Sequence, residues 1–419
     1  MKRRKICGIS LGLVLTGSLL ESSGAPLAQE RVDALPSAQH AAWQHYLDVS
    51  NAAWRKDHET LYTEMIVEGL AQPLPAPAGG DFKLPSHPQP EWFAAAETRQ
   101  LATVVISYQT PSGGWSKKLR FTGAPRKRGT LWSSQSAGSD PWHYVGTFDN
   151  RATTEELRLL AGVWLATQRQ DCAGAFLRGL DYIFAAQYPN GGWPQVWPVE
   201  GKYHDDVTFN DDAMIHVLEL LRDLGDGAPE FAFVDEARRT RARQALAAGI
   251  ECILQAQVRQ QGSLTAWCAQ HDPLTLAPSP ARLKEPTSIS GGESVGITRF
   301  LMQLPQQTPP IIAAIEGSLV WFERVKITTI EKTSKNGKST YVPVAQSSRP
   351  LWARFYDVAT NKPLFSGAQD GVIYNTFAEM QAHNHIGYDY YTAQPEALIT
   401  KDQARWRKVL LRKSSGSQR

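Results

Sequence analysis

The 419-residue chain is poor in the features that fix many small folds. It has four cysteines and no CxxC pair, which gives little support to a cysteine zinc site or a dithiol redox site. Three cysteines (Cys172, Cys252 and Cys268) lie beyond the N-terminal region. One disulfide or three buried thiols fit equally well, because a chain of this length needs no covalent staple. Charge of one sign is also missing. Positions 1–28 carry four basic residues and one acidic residue, and removing them from totals of 44 and 41 leaves equal numbers. No nucleic-acid partner is therefore expected, since such a binder shows a basic surplus or stripe. Any attraction for a polyanion has to be local to a cleft. Long apolar runs are absent beyond the N-terminus, so no spanning helix is expected in the mature chain.

What is present begins with an export signal. Lys2, Arg3, Arg4 and Lys5 precede an apolar stretch from Ile6 to Leu20, and small residues lead to Ala25 and Ala28. This predicts a signal peptide over 1–28 and a secreted or periplasmic protein with no membrane contact after cleavage. Aromatic residues are abundant, with 13 Trp and 13 Tyr. They fit either a surface that stacks on sugar rings or a Trp-rich core.

Residues 29–40 and 72–91 read as non-helical linkers, the second because it holds Pro73, Pro75, Pro77, Pro85, Pro88 and Pro90. Helical periodicity spans Ala41–Leu70, Glu155–Ala186, Asp211–Leu224 and Asp235–Gln257. Strand signals are few. The clearest pairs Val325–Ile330 with Ser339–Pro343 as a hairpin around Asn336-Gly337. The chain therefore divides into a signal (1–28), an N-terminal helical segment with a Pro-rich linker (29–91) and a main domain (92–419).

An internal echo organises that domain. Gln109-x-x-Ser112-Gly113-Gly114-Trp115 recurs as Gln187-x-x-Asn190-Gly191-Gly192-Trp193, and a looser third copy ends at Trp267. The Trp residues are separated by enough chain for a pair of helices plus loops. A closed ring of helical hairpins would bring each Gly-Trp loop to one end of the molecule.

Polar residues concentrate in four segments: Ser112–Lys118, Asp149–Thr154, Thr208–Met214 and Trp267–Ser294. Asp149-Asn150 and Asn210-Asp211-Asp212 both stand where a loop enters a helix. Such carboxylates could hold a hard cation through oxygen, or could simply cap the helices. Arg282 lies in a Pro-bounded loop near Glu285. An arginine there is ordinarily a carboxylate clamp or half of an ion pair, and it would act as a base only in a desolvated site crowded with positive charge.

In order along the chain, TPSGGWSK, DNxAT, NGGWPQ, TFNDDAM, WCAQHDP, the AR…E…SGGES block and WARFYD resemble the pectate lyases of polysaccharide lyase family 10, from about Val104 to Tyr391. The resemblance implies a mainly α fold, an (α/α)3 barrel or toroid of helical hairpins with long irregular loops and the small β-hairpin. It implies cleavage of polygalacturonate or pectin by β-elimination, with Ca2+ as cofactor and the chain acting as a monomer. Position by position it makes Arg282 the Brønsted base and Asp149 and Asp211 the calcium ligands. Lys117 and Arg354 would bind substrate carboxylates, joined along the cleft by Asn210, Trp267, His271, Asp272 and Glu285. Two places depart from the family pattern: Gln369 stands where an arginine is expected before Asp370-Gly371, and Asn384-His385-Ile386 replaces a charged run before Gly387-Tyr388. A missing arginine removes a bidentate carboxylate partner. Two readings therefore stay open beside the lyase: another uronate-processing lyase or hydrolase on the same scaffold, and a pectin-binding protein without turnover.

Overall fold

A computed structural model describes residues 25–135, 142–335, 338–383 and 389–416. The expected signal lies almost wholly outside the described residues, as do the Asn336-Gly337 turn and Asn384–Tyr388. Among the described residues no helix is long and apolar enough to cross a membrane.

Among the described residues, nine helices of more than ten residues carry the fold. They are α1 (Ser37–Glu68), α2 (Ala96–Ser107), α3 (Thr154–Thr167), α4 (Gln170–Ala186), α5 (Ala213–Gly225), α6 (Glu236–Ala256), α7 (Glu293–Gln303), α8 (Pro309–Arg324) and α9 (Gln403–Gly416). The helical pattern over 155–186 is in fact two helices. Gln168 takes a left-handed conformation (φ 60°), ends α3, and the chain reverses into α4. The segment 29–40 is not a linker either, because Gln29–Asp33 is a short helix and Pro36 sets the entry to α1. Both results follow from end signals that periodicity does not carry. Asp235 behaves as its residue type predicts, accepting the Arg238 N–H at 2.9 Å to cap α6. The hairpin forms between β1 (Ile330–Lys335) and β2 (Lys338–Pro343), so the expected first strand, Val325–Ile330, is displaced: Val325 ends the preceding helix and the strand begins only at Ile330. The remaining strands are two-residue bridges between loops.

The architecture is mainly α, an (α/α)3 toroid. Inner helices α3, α5 and α7 pack side by side, and outer helices α4, α6 and α8 each pack on the inner helix before them. Among the described residues the toroid of helical hairpins forms no closed barrel. On α6 the buried residues Ala242, Ala245, Gly249, Cys252, Ile253 and Ala256 fall on one stripe, whereas α5 is buried on almost every side. Helix α1 packs on α4, where Trp43 and Tyr46 meet Tyr188 and the Tyr46 hydroxyl donates to the Ala186 carbonyl.

The echo has a physical explanation in hydrogen bonds. Gln109 donates from Nε2 to the carbonyls of Gly113 and Ala175, Gln187 to those of Gly191 and Ala245, and Gln257 to those of Thr265 and Ala314. Each glutamine thus closes its own loop and clasps the next outer helix. The indole N–H groups repeat as well: Trp115 donates to Val105, Trp193 to Ile183 and Trp267 to Ile253. Trp352 makes the fourth such bond, to Phe322, without a Gly-Gly pair to announce it. The two Gly-Gly-Trp copies need glycine for close approach. A Cβ would lie 2.5 Å from the Arg178 carbonyl oxygen at Gly113 and 2.2 Å from that of Ala248 at Gly191. Ten of the 13 Trp residues are buried, so the aromatic surplus is chiefly core. Cys172, Cys252 and Cys268 are three buried free thiols.

One core residue resists burial. Glu156, in the first turn of α3, is 1% exposed, and its Oε2 has no hydrogen-bond partner. Burial, with Glu155 adding to it, pushes its carboxyl up to about 8. Asp205 and Asp206 are raised by burial in the same way, to about 7 and about 8. A carboxyl whose folded pKa lies above its unfolded value binds more protons in the native state, so its penalty is absent below the unfolded value and grows as pH rises through the folded one. Stability should therefore fall between pH 5 and pH 8. Glu156→Gln is expected to raise the Tm by roughly 2–5 °C at pH 8 and by almost nothing at pH 5, as read by scanning calorimetry. An equal shift at both pH values would contradict the assignment.

Candidate active site

The N-terminal ends of the inner helices bring the polar segments together. Before α3 the chain runs Phe148-Asp149-Asn150-Arg151, and before α5 it runs Phe209-Asn210-Asp211-Asp212. The two stretches share one backbone shape. The Phe residues have φ −102° in both, with ψ −3° and −8°, while Asn150 (φ 52°, ψ 33°) and Asp211 (φ 52°, ψ 31°) are left-handed. Arg151 and Asp212 that follow also have positive φ. Left-handed geometry costs a non-glycine residue about 1 kcal/mol and is best tolerated by Asn and Asp. Neither turn makes a side-chain cap bond. Helix capping therefore does not account for these residues. The two turns pack against each other.

The order of Asp and Asn is exchanged between the turns, so matching positions carry Asp149 and Asn210. Asp149 is 3% exposed; Oδ2 pairs closely with Lys117 Nζ, and Oδ1 has no hydrogen-bond partner. Lys117 also lies 3.6 Å above the Tyr144 ring centroid. Asn210 donates from Nδ2 to Asp211 Oδ2 at 3.0 Å. Although Asp211 is exposed, desolvation by the packed turns, then Asp149 and Glu293, hold its carboxyl above the usual range against the opposing pull of Arg354 and the Asn210 amide. Asp212 is raised to about 6, first by burial, with His216 opposing and Glu293 and Glu219 adding. Glu293, at the start of α7, completes the acidic group; it accepts from Ser290 Oγ and lies 3.4 Å from Arg354 Nη2. A cleft of about 430 Å³ opens here, lined in part by Asp211, Asp212, Glu293, Arg354, Lys332 and Asp389.

Arg282 stands on the neighbouring loop, half exposed, and forks onto buried Glu285 through Nε–Oε2 (2.8 Å) and Nη2–Oε1 (2.6 Å). That pair holds the Arg282 guanidinium above its ordinary value. Tyr144, Tyr203 and His204 feel the Arg282 charge. Lys284 is lowered from its usual value by burial and then by Arg282 and Arg354, so three cations crowd one wall. The exposed Gln369 belongs to a loop that packs there too, because Gly371 abuts Leu283 and Ser366 Oγ donates to the Leu283 carbonyl.

Three expected cleft residues are structural. Trp267 is fully buried, with its indole spent on Ile253. His271 is buried, with Nε2 accepting the Cys268 N–H and Nδ1 bonded to the Leu276 carbonyl. Asp272 holds its own turn, accepting from Leu274, Thr275 and Arg31. A distinctive block can mark a tight fold junction as readily as a cleft, and this one does. Glu285 likewise engages Arg282. Conversely, Glu293, Tyr144 and Tyr203 were not singled out from the sequence. Aligning the residues that enter the inner helices would have exposed Glu293, since SGGES enters α7 as DNRATT enters α3.

No curated protein matches the chain. The pectic acid lyase family model matches residues 109–399. The structure resembles a family 10 polysaccharide lyase from Cellvibrio cellulosa with a TM-score of 0.64 and 32% sequence identity, covering 78% of this chain and 98% of that one. It also resembles an aspartate-to-alanine mutant of a family 10 polysaccharide lyase from Cellvibrio cellulosa in complex with trigalacturonic acid, at 32% identity and TM-score 0.64, over 75% of this chain and 96% of that one. A match that spans the twin turns, the Arg282 loop and most of the toroid sets aside the hydrolase reading: the chain belongs to the pectic acid lyase family, the family 10 polysaccharide lyases, and is a polysaccharide lyase.

Proposed function

We propose that this protein is an exported, calcium-dependent pectate lyase that cuts polygalacturonate by β-elimination, with Arg282 as the proton-abstracting base. One observation carries the reading. Asp149 and Asp211 come from twin strained turns that pack against each other; Lys117 pairs with Asp149, the Arg354 charge acts on Asp211, and Arg282 and Arg354 act on Lys284. An Asp211 carboxyl that Asp149 helps to raise, with a buried oxygen of Asp149 left without a partner among the described residues, suits an oxygen-seeking divalent ion. Asp149 and Asp211 would hold calcium, which would draw charge from the uronate carboxylate next to C5. Arg354 and Lys117 would orient that carboxylate.

In the reaction, Arg282 takes the C5 proton onto a guanidine nitrogen, the C5 electron pair forms the C4–C5 double bond, and the C4–O bond breaks to release the leaving chain. The resting Glu285 pair favours protonated Arg282, so base function requires crowding by other cations and a rise in pH. Turnover of polygalacturonate should create a conjugated product that absorbs in the ultraviolet, rise toward alkaline pH and cease with a calcium chelator. Cleavage without that absorbance would mean hydrolysis, and chelator-insensitive turnover would remove the metal role.

A further inference from the structure

A second set of donor atoms sits in the cleft wall, apart from the carboxylate turns. His143, Glu200 and His204 each offer a ligand atom within 4.8 Å of the others. Glu200 Oε2 lies 3.1 Å from His143 Nδ1 and 3.4 Å from His204 Nδ1. Zinc bonds of about 2.0–2.1 Å in a tetrahedron place neighbouring ligand atoms roughly 3.3–3.4 Å apart. Two of the three edges are therefore already close to length.

The surroundings fit as well. His204 is 2% exposed, yet its Nδ1 has no hydrogen-bond partner. Its Nε2 lies 2.9 Å from the Tyr144 hydroxyl, which orients the ring and leaves Nδ1 directed at Glu200. Glu200 Oε1 accepts the Tyr144 N–H at 3.0 Å. Asp205 fixes the turn below by accepting the Glu200 and Gly201 N–H groups. A pocket of about 160 Å³ lined in part by Trp142, Glu200 and Lys202 reaches the Glu200 side of the cluster.

We infer that His143, Glu200 and His204 form a site for a zinc-class transition ion, distinct from the carboxylate turns, that ties the Tyr144 loop to the Tyr203 loop. Two imidazoles and one carboxylate suit zinc and suit calcium poorly. Burial first, then His143 and the cations Lys117, Lys202 and Arg282, lower the His204 proton affinity. Their charge also opposes a divalent ion, which limits affinity without changing the donor set. Through Tyr144 the ion would brace the ring beneath Lys117, so its role is positioning. The inference does not depend on the calcium reading.

Zinc uptake by the untagged, chelator-stripped protein, measured by competition with a chromophoric chelator in excess calcium, tests it. The wild type should take one zinc equivalent with a Kd below about 1 µM. His143→Ala and Glu200→Gln should each weaken uptake roughly 100-fold or more, with near-ultraviolet circular dichroism checking that they fold. Asp149→Ala should bind zinc unchanged. Cobalt in place of zinc should give the visible absorption of a tetrahedral ion in the wild type, a readout that needs no variant. No uptake by the wild type, a cobalt spectrum without tetrahedral bands, unchanged uptake in folded variants, or displacement by calcium would each overturn the site.

Discussion

Arg282→Ala is expected to lower kcat on polygalacturonate by roughly a thousandfold, as loss of a positioned base does. The same change leaves Glu285 buried without its cation, so it should also cost about 1–3 kcal/mol of stability. Lost activity alone could therefore reflect damage to the fold. Arg282→Ala combined with Glu285→Gln separates the two: it should regain most of the lost Tm and none of the activity. Glu285→Gln by itself removes the first cause of the raised Arg282 value, so the alkaline limb of its rate profile should move to lower pH. Full turnover by the double variant, or a limb that stays in place, would end the case for Arg282 as base.

The second large effect concerns the twin turns. Asp211→Asn should reduce activity at a fixed low calcium concentration by roughly 100-fold or more, equivalent to about 3 kcal/mol of lost charge stabilisation. Because the Asp211 carboxyl is raised above its usual range, protons compete for it at milder acidity than for an ordinary aspartate. The calcium needed for half-maximal rate in the wild type should therefore climb as pH falls toward that raised value. Stability should move the other way. Removing a carboxyl that desolvation and neighbouring acids hold up relieves the metal-free protein, so Asp211→Asn without calcium should melt at or slightly above the wild-type Tm near pH 8, the gain kept small by the exposure of Asp211. A variant that keeps full calcium response would sink the ligand assignment.

Much of the toroid could be read from the chain because its repeat is chemical as well as periodic. Gln109 and Gln187 recur with their Gly-Gly-Trp loops because each must close a turn and clasp a neighbouring helix. Trp352 escaped notice because it makes the same indole bond without the glycines. The helix break at Gln168 was illegible, since a left-handed glutamine leaves no compositional mark. At the site, Asp149, Asp211, Lys117, Arg282 and Arg354 were named from motifs, and their residue types are rare enough in apolar surroundings to stand out. Trp267, His271 and Asp272 were misplaced because a block can be distinctive for packing alone. The His143–Glu200–His204 group was invisible because His143 stands on a different loop from Glu200 and His204 and meets them only after folding.

The exchanged order of Asp and Asn in two otherwise superposable turns has a directional consequence. A sugar chain has unlike ends, and a pair of identical turns related by repetition would offer both polarities nearly the same reception. Asp149-Asn150 and Asn210-Asp211 instead set one carboxylate a residue earlier than the other on the same backbone path. The exchange of two neighbouring side chains on a shared backbone path would make the two ends of the groove unlike.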